Sequence, residues 1–375
     1  MKILIYQPRV SYYTGGGEIF PLQNAKFFSK LGHDVTILTT KADFFKLSDY
    51  FIDFISENKK IKIDYLELCV SFKYIYDVPA GIDWTRWDRE SLWVSRLAYQ
   101  YISNNKFDII AIHNVIDALA VPFGDKHILH LHGIPSKINY ICELILEKEI
   151  NIVADSKNIA YEWKRLGVHS DIKICTNAID ENVFVTDENS KRDIDILFVG
   201  RLIPIKGVQY ILQALKILND KYELTFNFSV IGEGPYKNEL KKLSKELKID
   251  KQVKFYGQVS QGDLIKSYQH AKIAVLPSYD KEGILTTMLE AASCGTPVIT
   301  TKGTSMEEFA KNNKNALLVE PKNAIDLSEK IYKLLTDVDL AIAIAKNAFN
   351  TVIKEYTWYN KAQQLIEIYN EVKDA

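Results

Sequence analysis

Short apolar runs recur along the chain, each closed by a glycine, a proline or a polar cluster, and each followed by a stretch with helical spacing. Lys2–Tyr6 is such a run, and its nearly unbroken apolar character predicts a parallel strand covered on both faces. It leads into Thr14-Gly15-Gly16-Gly17-Glu18, an amphipathic helix to about Leu31, the break Gly32-His33, and a second strand at Val35–Thr39. This is a βαβ unit. Strands follow at Asp108–His113, Lys126–Leu131, Ile150–Asp155 and Ile172–Cys175, with a helix over Ser156–Leu166. Asn177–Asp193 is polar and irregular, and a change of domain is placed near its start. Beyond it, strands are expected at Asp195–Val199, Thr225–Ile231, Val253–Tyr256, Lys272–Leu276, Val298–Ile299 and Ala316–Val319. Helices fill the gaps, one over Val208–Asn219 and another beginning at Gly303, Glu307 and Glu308. The last is Thr357–Val372. Strict alternation of this kind predicts parallel sheets in two α/β domains.

The chemistry-bearing residues cluster where those strands end. In Pro277–Pro297, Glu282 and Glu290 stand eight positions apart around a loop-to-helix junction. Glycoside hydrolysis needs two carboxyls about 5–9.5 Å apart. Eight residues of helix rise about 12 Å. That is too far for one anomeric carbon but suits an elongated ligand with a polar group at each end. A nucleotide-sugar fits, with sugar hydroxyls at Glu282 and ribose hydroxyls at Glu290. The same pair also fits a solvated loop acid beside a helix acid.

Arg201 and Lys206 stand five apart in the turn from strand to helix after Val199. An arginine forks onto phosphate oxygens and a lysine adds a point charge, so the pair suggests an anion site; solvated loop cations are the alternative. The turn at Gly15–Gly17 offers bare amides and a helix N-terminus to a phosphate or sugar, but it is not GxGxxG. His113 and His132 each follow a strand end, where open α/β sheets bind ligands; neither has metal-ligand spacing, and each also fits a structural histidine. His33 reads as structural. Phe72, Tyr74, Tyr76, Trp84, Trp87 and Trp93 suit stacking on a sugar or simple core filling. Asp193-Ile194-Asp195 has the spacing of a metal-binding DxD but lies at a strand entrance, which marks a chance match.

Composition narrows the class. The 375 residues carry 47 Lys+Arg and 48 Asp+Glu, a net charge of −1, so no basic face for nucleic acid is expected. The lysine-rich stretch Lys237–Lys251 reads as solvated helix surface. Cys69, Cys142, Cys175 and Cys294 are scattered without a CxxC, which fits reduced thiols rather than a zinc site or a disulfide frame. Met1–Pro8 reads as a first strand rather than a signal peptide, and no apolar span reaches membrane-crossing length.

The ordered set GGGE at 15–18, GH at 32–33, HG at 132–133, NAID at 177–180, GRLIPIKG at 200–207, GEGP at 232–235 and EGILTTMLE at 282–290 resembles the retaining glycosyltransferases of family 4. The last motif matches that family's E-x7-E signature, and the resemblance spans nearly all the chain. It implies the GT-B fold, two Rossmann-like domains facing a central cleft. The acceptor domain would be 1–175 with a returning helix at 356–375, and the nucleotide-sugar domain 176–355. Carried over by motif, Arg201 and Lys206 would hold the donor diphosphate and Glu290 the ribose. Glu282 would hold the transferred sugar, with amides of Gly283, Ile284, Leu285 and Thr286 nearby. Gly16 and Gly17 would approach the donor, and His132 would lie against its sugar. Ile284-Leu285 replaces the family's frequent Phe-Gly, and Gly303-Thr304 its usual Gly-Gly. The resemblance implies a UDP-sugar first and a GDP-sugar second, a glycan or lipid-linked acceptor, and no metal or other cofactor. A cytoplasmic location follows, compatible with peripheral contact at the inner face of a membrane. A non-catalytic sugar-binding or partner subunit and a GT-B nucleotide-sugar epimerase are the competing readings.

Overall fold

The computed structural model describes residues 1–42, 46–68, 86–122, 126–134, 150–187, 189–280 and 282–374. Cys69, Phe72, Tyr74, Tyr76, Trp84 and Cys142 lie outside these residues, as does the side chain of Trp87; Trp93 is exposed. The chain divides into two compact units, Met1–Thr176 with Trp358–Ala375, and Asn177–Thr357.

The first unit holds strands β1 (Lys2–Tyr6), β2 (Asp34–Ala42), β3 (Lys62–Leu68), β4 (Ile109–Ile112), β5 (His127–Leu131), β6 (Asn151–Ala154) and β7 (Ile172–Ile174). They form one parallel sheet in the order β3-β2-β1-β4-β5-β6-β7. Its described helices are α1 (Gly16–Lys30), α2 (Asp49–Glu57), α3 (Arg86–Ser103), α4 (Lys157–Arg165) and, from the far end of the chain, α11 (Trp358–Asp374). Ile3, Leu4, Ile5 and Tyr6 are all essentially inaccessible, as a strand covered on both faces requires. α11 packs on α1, with Trp358 edge-on to Phe20 and Tyr369 edge-on to Phe28. Ser48 and Ser156 cap α2 and α4 by accepting from backbone amides.

The second unit repeats the architecture with β8 (Ile194–Val199), β9 (Phe228–Ile231), β10 (Val253–Gly257), β11 (Ala271–Leu276), β12 (Val298–Thr301) and β13 (Leu317–Val319). These are parallel in the order β10-β9-β8-β11-β12-β13. Helices α5 (Val208–Tyr222), α6 (Lys237–Glu246), α7 (Gln261–His270), α8 (Thr286–Ser293), α9 (Ala324–Thr336) and α10 (Val338–Glu355) complete it.

The helix expected from Gly303 is only a four-residue 3-10 turn, Ser305–Glu308. Asn315 stops it, its amide donating to the Phe309 carbonyl while its oxygen accepts from the Lys311 amide. Met306 and Phe309 are buried, so the segment is anchored by packing without needing helical length.

The loops leaving β8, β9 and β11 are packed too closely for side chains. Gly207 is left-handed at φ 77°, and a Cβ there would lie 2.3 Å from the Pro277 carbonyl oxygen. At Gly232, φ 131°, it would lie 2.0 Å from the Gly200 carbonyl oxygen. Gly207→Ala is therefore expected to cost about 2–4 kcal/mol, combining left-handed strain with overpacking. Chemical denaturation would read this as a lowered midpoint; an unchanged midpoint would mean the two loops part freely.

Candidate functional site

The second sheet changes direction at β8, with β9 and β10 on one side and β11 on the other. The loops leaving β8 and β11 flank that switch point, the position at which open α/β sheets bind ligands. The first loop carries Arg201 and Lys206, the second Glu282. They are laced together: the Tyr279 amide donates to the Ile205 carbonyl at 3.1 Å. Lys206 Nζ lies 2.7 Å from Glu282 Oε2, and Ser278 Oγ donates to the same oxygen at 2.8 Å. Lys206 and Glu282 keep only 12% and 18% of their side-chain surface, so the pair is shielded from bulk water. Glu282 Oε1 makes no hydrogen bond to any described residue. Arg201 heads the same loop, is exposed, and has no side-chain partner among the described residues; the amide of its neighbour Leu202 donates a hydrogen bond to the Glu233 carbonyl at 2.9 Å.

Two helices begin beside these side chains. α5 and α8 have Gly207 and Leu285 as their N-cap residues, and neither helix has a side-chain cap. Their first amides and positive dipole ends remain available to an anion. Gly283, Ile284 and Leu285 form the extended approach to α8, and Thr286 is its first residue. Ile284 is buried, and its carbonyl accepts from Asn177 at 3.4 Å.

Glu290 sits one turn further along α8 and is half-buried as a residue, with its carboxyl enclosed. Burial pushes that carboxyl up to about 7, while the hydrogen bond it accepts from Tyr268 at 2.8 Å works against burial. The folded chain thus favours the protonated acid, whereas an unfolded one ionises near 4.5. Stability from this group is complete below about 4.5 and is lost as pH rises through about 7. Glu290→Gln should therefore lose less melting temperature than the native chain between pH 5 and 8. Parallel curves would overturn this.

The first sheet has its own switch point, between β1 and β4. Arg9, just past β1, is buried and reaches Ser91 at 2.9 Å, Glu18 at 3.9 Å and Asp117 at 3.9 Å. Burial raises the carboxyls of both acids, Asp117 to about 6, with the Arg9 charge opposing. Gly16 and Gly17 open α1 directly above Glu18, and a Cβ on Gly17 would meet nothing within 4 Å.

His132 follows β5. Its Nδ1 lies 2.9 Å from Asp155 and its Nε2 3.0 Å from His113 Nδ1, so both ring nitrogens are engaged. Burial disfavours its charge, but the Asp155 carboxylate, with Glu18 beyond, raises its pKa overall. His113 and His130 stack beside it, with centroids 5.3 and 6.3 Å away. Burial and the neighbouring imidazoles lower both, His130 to about 3. The proton of this stack belongs to His132. A ligand hydrogen-bonding His132 Nε2 has to displace His113.

Lys206, Glu282 and Ser278 are thus in direct contact, and Arg201 and Glu290 lie on the same two loop-helix connections. His132, Gly16 and Gly17 belong to the first unit. Sequence reasoning missed Ser278, Tyr268 and Arg9. Asp155 carried a readable signal, since it follows a strand end as His132 does. Asp193 and Asp195, at the opposite end of β8, are occupied by His270 at 3.2 Å and Lys272 at 2.7 Å. Cys175 and Cys294 are buried free thiols. No described helix is long and apolar enough to cross a membrane.

Residues 179–351 match the family Glycosyl transferases group 1, and residues 14–183 match Glycosyltransferase Family 4. An uncharacterized glycosyltransferase of Methanocaldococcus jannaschii is 31% identical over 46% of this chain and 44% of its own length. An N,N'-diacetylbacillosaminyl-diphospho-undecaprenol α-1,3-N-acetylgalactosaminyltransferase of Campylobacter jejuni is 32% identical over 47% and 44%. These alignments span about half the length of each curated relative. The Anabaena HepE protein, solved with UDP and glucose, superposes over 99% of both chains with a TM-score of 0.76 at 18% identity, a likeness of fold.

Proposed function

This chain belongs to glycosyltransferase family 4 and has the GT-B fold, and from that premise we propose that it moves a sugar from a nucleoside-diphosphate sugar to a hydroxyl of a glycan or glycoconjugate, with retention of anomeric configuration. The observation that carries this reading is the Lys206–Glu282–Ser278 contact at the switch point of the second sheet, beside an Arg201 that has no side-chain partner among the described residues and two uncapped helix starts. Among relatives named for such chemistry, one acts on a diphospho-undecaprenol and another, from Mycobacterium tuberculosis, on a phosphatidylinositol monomannoside with GDP-mannose. A lipid-linked or cell-surface glycan acceptor is the class they suggest, with a UDP-sugar as first donor and a GDP-sugar as second.

In the reaction, the bond from the anomeric carbon to the phosphate oxygen breaks, and a bond to the acceptor oxygen forms on the same face. The acceptor's proton passes to the departing phosphate oxygen. Negative charge grows on the diphosphate as it leaves. In this reading Arg201, Lys206 and the first amides of α5 and α8 meet that charge, a form of electrostatic preorganisation. Glu282 Oε1 accepts from sugar hydroxyls and Glu290 from the ribose. Glu282 is a binding group rather than a nucleophile. Arg201 and Lys206 serve the leaving group without a divalent metal, so activity should persist in a chelator; its abolition by EDTA would overturn that part.

The test is a panel of UDP- and GDP-sugars, scored by melting shift and by nucleotide release in the presence of a glycan acceptor. A ligand of the native state raises its melting temperature. Binding with no turnover on any acceptor would favour a partner subunit. Isomerised sugar without nucleotide release would indicate an epimerase. Either result would overturn the proposal.

A further inference from the structure

Tyr268, near the end of α7, is fully buried, yet its ring carries the one hydroxyl that reaches Glu290, at 2.8 Å from Oε2. The tyrosine is held on several sides. Its own carbonyl accepts from Thr296 Oγ1 at 2.5 Å, and Phe184 stands edge-on to the ring at 6.4 Å. Burial and the Glu290 charge raise its phenol pKa far above the ordinary value, so the hydroxyl keeps its proton and can only donate. Glu290 Oε2 is thereby committed to the protein, and Oε1 has no hydrogen bond to any described residue.

We propose that Tyr268 is a positioning residue for nucleotide binding: its hydroxyl fixes the rotation of the Glu290 carboxylate so that the second oxygen is presented to a ribose hydroxyl. This rests on the reading of Glu290 as the ribose acid. The same hydrogen bond opposes the burial of the carboxyl and lets it ionise within the physiological range. The other titratable group facing Glu290 is Cys294, one turn on, whose thiol burial raises to about 12 and which therefore stays neutral. Arg192 acts on Cys294 and is bound to the Gly295 carbonyl at 2.7 Å.

Tyr268→Phe removes one oxygen and keeps the ring. The measurement is calorimetric affinity for UDP and GDP from pH 5.5 to 8.5, with melting temperature alongside. For whichever nucleotide the native chain binds, affinity should strengthen as pH rises through about 7, the range in which Glu290 becomes a carboxylate. In Tyr268→Phe the affinity at neutral pH should fall roughly tenfold, the worth of one hydrogen bond, and the midpoint of the pH step should move upward. Glu290→Gln, made independently, should remove the protein's share of the step and leave only the part set by the nucleotide's own terminal phosphate, which titrates at about 6. An unchanged affinity and midpoint in Tyr268→Phe would overturn the inference, as would a step of native size in Glu290→Gln. If the native chain binds neither nucleotide at any pH, the functional reading fails first and takes this one with it.

Discussion

Arg201→Ala is expected to lower kcat/KM by about 2–4 kcal/mol, about 1.5 to 3 powers of ten, the usual loss when a transition-state charge partner is removed. The size follows from its setting. Lys206 is already bonded to Glu282, so much of its charge is spent inside the protein. Arg201 is the cation of the pair with no side-chain partner among the described residues, and its full charge is available to a leaving diphosphate. The fold should not notice the change, because an exposed side chain without partners contributes within roughly 0.5 kcal/mol of nothing. Arg201→Lys should recover part of the rate, keeping the charge but losing the planar fork. Steady-state nucleotide release checks the two rate statements, and thermal melting checks the unchanged fold. An unchanged kcat/KM in Arg201→Ala would remove the residue from the reaction.

Glu282→Gln should have two effects of opposite sign. The amide keeps the shape but removes the charge that faces Lys206 at 2.7 Å, so the lysine is left shielded and uncompensated. A stability loss of about 1–3 kcal/mol is expected, toward the lower end because the pair keeps some solvent contact. Transfer should fall by at least about a hundredfold, since a carboxylate accepting from sugar hydroxyls is lost. Affinity for the nucleotide without its sugar should hold or improve, because Lys206 is released to the phosphates. Calorimetry with UDP or GDP against the corresponding nucleotide-sugar separates these effects. An equal loss for both ligands would assign Glu282 to general electrostatics rather than to the sugar.

Most strands were legible because parallel strands covered on both faces must be apolar throughout, and Lys2–Tyr6 and Lys272–Leu276 read that way directly. β3 was not, because this edge strand carries Lys62, Asp64 and Glu67 among its apolar residues. The helix behind Ser156 was read as well, and the serine hydroxyl caps it; the helix behind Ser48 went unread although the same kind of cap marks it. The extent of the helix at Gly303 was not legible, because Asn315 stops it from seven residues beyond the turn's last residue. Within the site, Arg201, Lys206 and Glu282 stood out as charges beside glycines in the loops after strand ends, and Glu290 by its spacing of eight from Glu282. Tyr268 and Ser278 did not. A tyrosine on a helix face and a serine after a proline look like packing and turn chemistry, and their roles depend on partners 22 and 4 positions away. The histidine stack was hidden for the same reason. His113, His130 and His132 become neighbours only because β4 and β5 lie side by side, a pairing that no local spacing encodes.

The route of the backbone carries a further consequence for biogenesis. Residues 177–357 form the second unit without interruption, whereas the first is made from two pieces separated by that entire insertion. As the polypeptide is made, the inserted unit is complete at residue 357, while its host still lacks the helix that begins at Trp358. The host must wait, with the apolar flank of α1 bare, until Trp358 and Tyr369 arrive to cover Phe20 and Phe28. Nascent chains stalled short of residue 358 should therefore hold a protease-resistant second unit beside a cleavable first one, and should recruit chaperones to that uncovered surface.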